Sequence, residues 1–466
     1  MLKALLMNLP EVKAPLQRRL SFKEKLKWTL LVLLAFFILS NIPLFGLGQN
    51  SLQQFTFLSI ILGASFGSIM SLGIGPIVTA SIVLQLLTGS GLLKLDLTKP
   101  EGRKFFQGLQ KLLAIFFIIF EAAIYVLMGG LSPAAGLPPS QYYFMQFILI
   151  GQLILGGLLI LYMDEVTSKW GFGSGVSLFI AANVSQEIIV RALSPLSSTG
   201  QWAFGSGQPP IGAILVFFTS LLAGDARSAV IAVSAVLATV LVFFVSVYAQ
   251  AMKVEIPLSF GRIRGHGIRW PLNFIYTSNI PVILVAALLA NFQLWAKLLE
   301  NAGKPILGTF SGNAPATGFI AWINPPNIIG GVLTNSLRSI DFAHAFVYLL
   351  FMVAGSILFS VFWVQTAGMD ARSQARQIMS SGLQIPGFRR DERVLERLLK
   401  RYITPLTVLG GLTVGALAAL ADLTGALSRG TGILLAVMII YRLYEDIAQQ
   451  HMMDMYPGLR KMMGGS

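Results

Sequence analysis

Residues 63–82 read GASFGSIMSLGIGPIVTASI, an apolar stretch in which Gly67, Gly73, Gly75 and Pro76 interrupt what would otherwise be a membrane-length helix. Proline removes a backbone donor and glycine raises the entropic cost of helix formation, so this break predicts a helix boundary. Backbone freed from a helix at membrane depth is tolerated only where it is buried in protein or lines a cavity. The reason for the break therefore has to come from what surrounds it.

The surrounding sequence is that of a polytopic membrane protein. Of 466 residues, 55% are hydrophobic and 12% charged, and the mean hydropathy is +0.73, far more apolar surface than a soluble core can hide. There is no cysteine, which excludes disulfides, thiolate metal sites and cysteine nucleophiles. A spanning helix needs about 20 apolar residues, and stretches of that length predict ten helices at 28–47, 72–92, 112–131, 142–163, 173–194, 228–252, 273–296, 342–367, 404–424 and 430–448. The first is too long for a signal-peptide core and lacks a small-residue cleavage site, so it reads as a retained helix. A shorter apolar run at 211–222 follows a Gly/Pro-rich link and predicts an interfacial or re-entrant piece. The expected organisation is a basic segment 1–27, a half at 28–194, an external linker 195–227, a second half at 228–448 and a tail 449–466.

The formal net charge of +14 is unevenly distributed. With the N-terminus inside, 28 of the 34 Lys and Arg residues fall in cytoplasmic segments, and Arg191, Arg227, Lys297, Lys304, Arg338 and Arg429 are the six outside. This positive-inside bias predicts a cell-membrane protein with both termini in the cytoplasm, and attraction to anionic lipid accounts for part of it. Two basic loops built with Gly and Pro corners, 253–272 and 368–403, exceed what topology requires and suit a large anionic partner such as a ribosome. In the second, Asp391, Glu392 and Glu396 interleave with Arg389, Arg390, Arg393, Arg397 and Lys400, a spacing that also stabilises a solvated helix.

Divided five and five, the helices place breaks at matching positions. Helix two carries GIGPIVTASI (73–82) and helix seven SNIPVILVAA (278–287), while helices five and ten open with GFGSGVSLFI (171–180) and RGTGILLAVM (429–438). Paired broken helices are a feature of channels and transporters with repeated halves. All four sites offer aliphatic residues, which predicts a path with an apolar waist that resists water and ions when narrow; at any single position, packing or lipid contact accounts for such a residue equally well. Residues 50–70, with Gly63, Ala64, Ser65, Gly67 and Ser68, form either a re-entrant half-span that caps the path from outside or an ordinary external loop. The residues alone leave two readings, a gated channel or a secondary transporter of a small solute, and the transporter requires ionisable groups at the midplane, where only Glu121 lies deep. The GFGSGVS run approaches the motif of intramembrane serine proteases. Phe172 occupies its first glycine, however, and His266, His344 and His451 are placed too far from mid-membrane to act as a base for Ser174. No P-loop is present, so energy must come from a partner.

The chain resembles the SecY family, the channel-forming alpha subunit of the Sec protein-conducting translocon. The resemblance covers nearly the whole chain and is carried by LGIGPIVTASIVLQLLTGSG (72–91), SKWGFGSGVSLFIAANVSQ (168–186), VEIPL (254–258), SNIPVIL (278–284), IPGFRR (385–390) and RYITPLTVLGG (401–411). FKEKLKW and GFRRDE resemble the archaeal branch. The resemblance implies an all-α fold of ten transmembrane helices in two pseudo-symmetric five-helix halves around an hourglass pore, which conducts unfolded secretory polypeptides and releases transmembrane segments sideways into lipid. It implies a pore ring of Ile74, Val78, Val176, Ile180, Ile283 and Leu435, with Val176 smaller than the isoleucine of related chains. It implies a plug at about 56–67, through Thr56, Phe57, Leu58, Ile60, Ile61, Gly63, Ser65 and Gly67, and a lateral gate between helices two and three and helices seven and eight, where Thr79, Glu121 and Asn291 match a polar cluster. Arg389 first, then Arg390, Arg262, Arg264 and Arg269, match partner-docking positions. The implied partners are small gamma (SecE-type) and beta-type membrane subunits, the ribosome through rRNA and ribosomal proteins, nascent polypeptides with signal sequences, and anionic lipids. No catalytic residue, cofactor or metal is implied. Glu187 and Arg191, four apart, read as an ordinary helix pair near the outer surface.

Overall fold

Helix α1 (Phe22–Ser40) begins where the Ser21 hydroxyl accepts the Glu24 N–H, and it ends before residue 47. Pro43 and Gly46, the latter at φ +83°, divert the chain into a short strand β1 (Leu47–Asn50), which pairs antiparallel with β2 (Leu131–Pro133). The computed structural model describes residues 9–16, 20–50, 64–89, 92–93, 95, 100–134, 136–197, 201–203, 208–260, 267–277, 279–311, 314–380, 383–384 and 391–455. Helix α2 (Gly75–Gly89) starts at the break in the quoted stretch: Gly73 lies at φ +57°, which ordinary residues avoid, and the Ile74 carbonyl accepts the Val78 N–H at 3.0 Å. Helices α3 (Pro100–Leu127), α4 (Pro139–Trp170) and α5 (Gly175–Leu193) complete the first half.

The short apolar run is helical, as α6 (Ala213–Leu222), and leads into α7 (Ala226–Ala251), capped by Asp225 accepting the Ser228 N–H. Then come strands β3 (Lys253–Phe260) and β4 (Gly267–Asn273), helix α8 (Ile280–Asn301), the β5–β6 pair (Phe310–Ser311, Ala314–Pro315) and the short helices α9 (Gly318–Trp322) and α10 (Ile328–Thr334). Helix α11 (Ser339–Thr366), helix α12 (Ala371–Ser380), strand β7 (Leu383–Gln384), helix α13 (Glu392–Leu423) and helix α14 (Gly430–Met455) follow.

Each expected span is thus a helix with moved ends. Helix α3 starts at Pro100 rather than 112 and α13 at Glu392 rather than 404, so the interleaved charges of 391–400 lie on a helix as their spacing predicts. Among the described residues, seven helices are long and apolar enough to cross a membrane by length and composition. Helix α2 has only 15 residues, while α1 and α14 carry charged turns such as Lys23–Lys25 and Arg442–Asp446. The loop at 253–272 forms a hairpin paired from Lys253↔Asn273 to Ser259↔Gly267, and β7 joins it at Ser259↔Gln384. The alternation in Val254-Glu255-Ile256 favours a strand, but Pro257 and Pro271 obscured it. Buried Ile256 and Leu272 seat this three-stranded sheet on Leu395 and Leu399 of α13.

The packing repeats. In the first half α2 packs on α3, α3 on α4, α4 on α5, and α1 on both α4 and α5; in the second, α8 packs on α11, α11 on α13, α13 on α14, and α7 on both α13 and α14. Helix for helix these are the same five pairings. Two seams join the halves: α2 lies against α8 and α11, and α14 lies against α1 and α5. One face gathers the start of α1 and the end of α14, with Lys25 Nζ donating to Gln450 Oε1 at 3.0 Å, and we call it the basic face.

Candidate functional site

The four broken stretches all contribute aliphatic side chains to the main buried core. Ile74, Val78, Ile180, Ile283 and Leu435 are between 0% and 5% exposed and belong to a single apolar cluster, with half-buried Val176 packed against it. They come from the turn before α2 and from α2, α5, α8 and α14, two helices of each half. Side chains buried to this degree are packed against protein rather than exposed to water. Below it, toward the basic face, lies a cavity of about 280 Å³ whose lining includes Ser174, Ser177, Asn279, Arg442 and Asp446. Phe172, Leu178, Ile280, Ile439 and Leu443 make up the rest of its lining, so the cavity is mostly apolar with a few polar groups at its wall.

The start of α5 is set by a residue that the sequence reading missed. Asp164 of α4 accepts the Val176 N–H at 3.0 Å and the Ser174 hydroxyl at 3.3 Å, so it caps the helix that carries Val176 and Ile180. The approach requires glycine at 175, where an added Cβ would lie 2.6 Å from the Asp164 Cα. Nothing in the MDEV context marks Asp164 as a cap for another helix.

Of the expected plug residues, Thr56, Phe57, Leu58, Ile60, Ile61 and Gly63 lie outside the described residues. Ser65 and Gly67 are held in a tight turn: the Ser65 carbonyl accepts the Ser68 hydroxyl at 2.7 Å, and Gly67, at φ +99°, donates its N–H to the Ser71 hydroxyl and accepts from Leu44 N–H, both at 2.9 Å. The neighbouring Ala64 is buried in the same cluster as the aliphatic ring.

Thr79, Glu121 and Asn291 meet as expected. Asn291 Nδ2 of α8 donates to Thr79 Oγ1 of α2 at 2.9 Å, which bridges the halves, and Thr79 Oγ1 lies 3.3 Å from Glu121 Oε1 of α3. All three residues are buried. Glu121 Oε2 and Asn291 Oδ1 have no hydrogen-bond partner among the described residues, an arrangement that is costly in an apolar setting.

On the basic face, Arg262, Arg264, Arg389 and Arg390 lie outside the described residues, and Arg269 stands opposite Pro257 in the β3–β4 ladder. The sheet nevertheless brings the two basic loops together, because β3 pairs with β4 on one side and with β7, immediately before residue 385, on the other. At the opposite face the Glu187–Arg191 pair forms at 2.8 Å. Glu187 also accepts the Ser428 hydroxyl at 2.6 Å, a partner 241 residues away that no local pattern announces.

Comparison with known proteins adds five matches. The family model SecY matches residues 68–444, and the plug domain of Sec61p matches residues 34–67. The protein translocase subunit SecY of Methanothermobacter thermautotrophicus is 49% identical over 460 residues, covering 98% of this chain and 97% of that one. A solved structure described as a protein conducting channel superposes with a TM-score of 0.83 at 40% identity, covering 99% of this chain and all of that one. Sec61 in the canine ribosome–channel complex from the endoplasmic reticulum gives 0.79 at 38% identity over the same shares of the two chains.

Proposed function

This chain belongs to the SecY family, and from that membership we propose that it is the pore subunit of a protein translocase, conducting unfolded polypeptides across the membrane and releasing apolar segments sideways into lipid. The observation that supports the reading is that both halves send aliphatic side chains, Ile74, Val78 and Ile180 from one and Ile283 and Leu435 from the other, into one buried core. A polypeptide entering from the basic-face vestibule meets a collar with no fixed hydrogen-bonding groups. Such a collar yields to any sequence and closes behind it, excluding ions by dewetting. Residues 56–67, within the stretch that matches the plug-domain model, serve as its plug on this reading. The α2–α8 seam, held by the Asn291–Thr79 hydrogen bond, is the lateral gate, and a segment rich in Leu and Ile leaves through it because each such residue gains about 0.3–0.6 kcal/mol in lipid.

The basic face is cytoplasmic by the positive-inside bias, in the cell membrane. There the β3–β4–β7 platform and the adjoining arginines meet the ribosome, while gamma- and beta-type subunits and anionic lipids surround the helices. The chain performs no chemistry of its own on this reading, and the partner supplies the energy. A solute transporter is disfavoured because the constriction is aliphatic throughout.

A photoreactive residue at position 74 is expected to form an adduct with a stalled nascent secretory chain; its absence with a competent substrate would return the choice to the transporter. Asn291→Ala is expected to weaken the gate by roughly 0.6–1.7 kcal/mol, the range for hydrogen bonds between membrane helices, and so to raise insertion of marginally apolar segments roughly 3- to 20-fold. Insertion thresholds in reconstituted vesicles measure this, and an unchanged threshold removes Asn291 from the gate.

A further inference from the structure

Helix α4 carries two adjacent glycines, Gly156 and Gly157, both buried near its middle. Gln152 lies on the same face, one turn before Gly156. A Cβ added at Gly156 would lie 1.9 Å from the carbonyl oxygen of Ile69 and 2.9 Å from its carbonyl carbon, so the helix admits the turn at 65–73 to a distance that only glycine allows. At Gly157 the added atom would meet side chains instead, Ile118 Cγ2 at 2.7 Å and Leu72 Cδ1 at 3.2 Å. Gln152 holds a second segment: its Oε1 accepts the Phe45 N–H at 2.9 Å and its Nε2 donates to the Phe45 carbonyl at 3.1 Å.

The two segments that α4 holds are also bonded to each other. Leu44 N–H donates to the Gly67 carbonyl at 2.9 Å, Ile69 N–H donates to the Ile42 carbonyl at 3.0 Å, and Pro43 stands opposite Ser68 in an isolated antiparallel bridge. They stand on either side of residues 51–63, which belong to the stretch that matches the plug-domain model, and the second segment leads directly into Ile74. Within it, the Met70 carbonyl accepts the N–H groups of Ser65, at 3.2 Å, and Gly73, at 3.0 Å. Met70 and Leu72 are fully buried and Ile74 is 1% exposed, so the turn is packed along its length and a displaced Ile69 carries Ile74 with it. A clash with a backbone carbonyl cannot be relieved by a change of rotamer, and a paired hydrogen bond such as that of Gln152 fixes orientation as well as distance.

We propose that Gln152 and Gly156 form a cradle on α4 that holds both roots of the plug stretch, and that this cradle sets the position of Ile74 in the pore ring. Both are positioning residues, acting on the ring through the turn they seat. The assignment rests on the pore reading proposed above, and the test separates the two.

In planar bilayers holding the full chain, Gly156→Ala is expected to raise the ion conductance of the closed channel severalfold, toward that of Ile74→Gly, although alanine ordinarily strengthens a helix interior. Gly151→Ala on the same helix, where an added Cβ meets nothing within 4 Å, is expected to conduct as the wild type does. Gly157→Ala is expected to leak less and to be sealed again by Ile118→Ala, which clears the side chain in its way; Gly156→Ala, blocked by backbone, is expected to gain nothing from that second change. A Gly156→Ala channel that unfolds at the wild-type temperature and stays sealed, while Ile74→Gly leaks, overturns the cradle and keeps the ring. If Ile74→Gly stays sealed as well, the ring reading falls and the cradle with it. Should Gly156→Ala fail to fold, Gln152→Leu removes both bonds to Phe45 without adding bulk at 156: a severalfold leak supports the cradle, and wild-type conductance overturns it.

Discussion

Replacing Ile74, Val78, Ile180 or Ile283 with Gly or Ser is expected to raise ion conductance through reconstituted bilayers by about tenfold or more, because a dewetted constriction fails once its lining is shortened or made polar. Each of these side chains is at most 5% exposed, and all four lie in one packed cluster. On the proposed function, removing one opens space on the path. The same change costs folding stability of about 2–5 kcal/mol in a well-packed core, and glycine inside a helix adds about 1 kcal/mol. Serine is accordingly the better probe at Ile180 and Ile283, which are helical, and glycine at Ile74, which precedes α2. Val176 is only half-buried and is expected to leak least when shortened. Thermal unfolding of each variant separates loss of fold from loss of seal, and a folded variant with unchanged conductance would sink the ring assignment.

Reversing charge at Arg389 is expected to weaken ribosome binding by about 10- to 100-fold, since a charge-assisted hydrogen bond to phosphate is worth about 1–3 kcal/mol and Glu adds repulsion. The salt dependence of binding should fall by about one unit of slope, as it does when one phosphate is no longer neutralised. Conductance of the closed channel is expected to be unchanged, because residue 389 follows the β3–β4–β7 sheet and the ring lies in a separate apolar cluster. Sedimentation with ribosomes at two salt concentrations reads both effects; wild-type binding at both would assign docking to other residues.

How much of this was legible in the sequence depends on distance along the chain. The break at Gly73 and Pro76, the aliphatic positions after it and the hydropathy of the spans are local, and the helices formed where these signals pointed. The α13 extension was legible from charge spacing at 391–400. The hairpin at 253–273 escaped because Pro257 and Pro271 weaken the strand pattern, and the partner strand β7 is remote. Asp164 as the cap of α5 and Glu187 as the acceptor of Ser428 had no local signature at all. Both depend on helices brought together only by folding. Thr79, Glu121 and Asn291 came together as a trio only through the family resemblance; of the three, Glu121 alone is conspicuous by itself, as a carboxylate in an apolar helix.

The sheet on the basic face has a mechanical consequence. Its strands continue from α7, lead into α8 and precede α13, and Lys253 at its base pairs with Glu445 of α14 at 3.2 Å. Every anchor of that platform belongs to the second half of the chain. A massive particle seated there would hold the helices of the second half in place, so that any displacement between the halves would fall to α1–α5, which carry Val78 and Ile180.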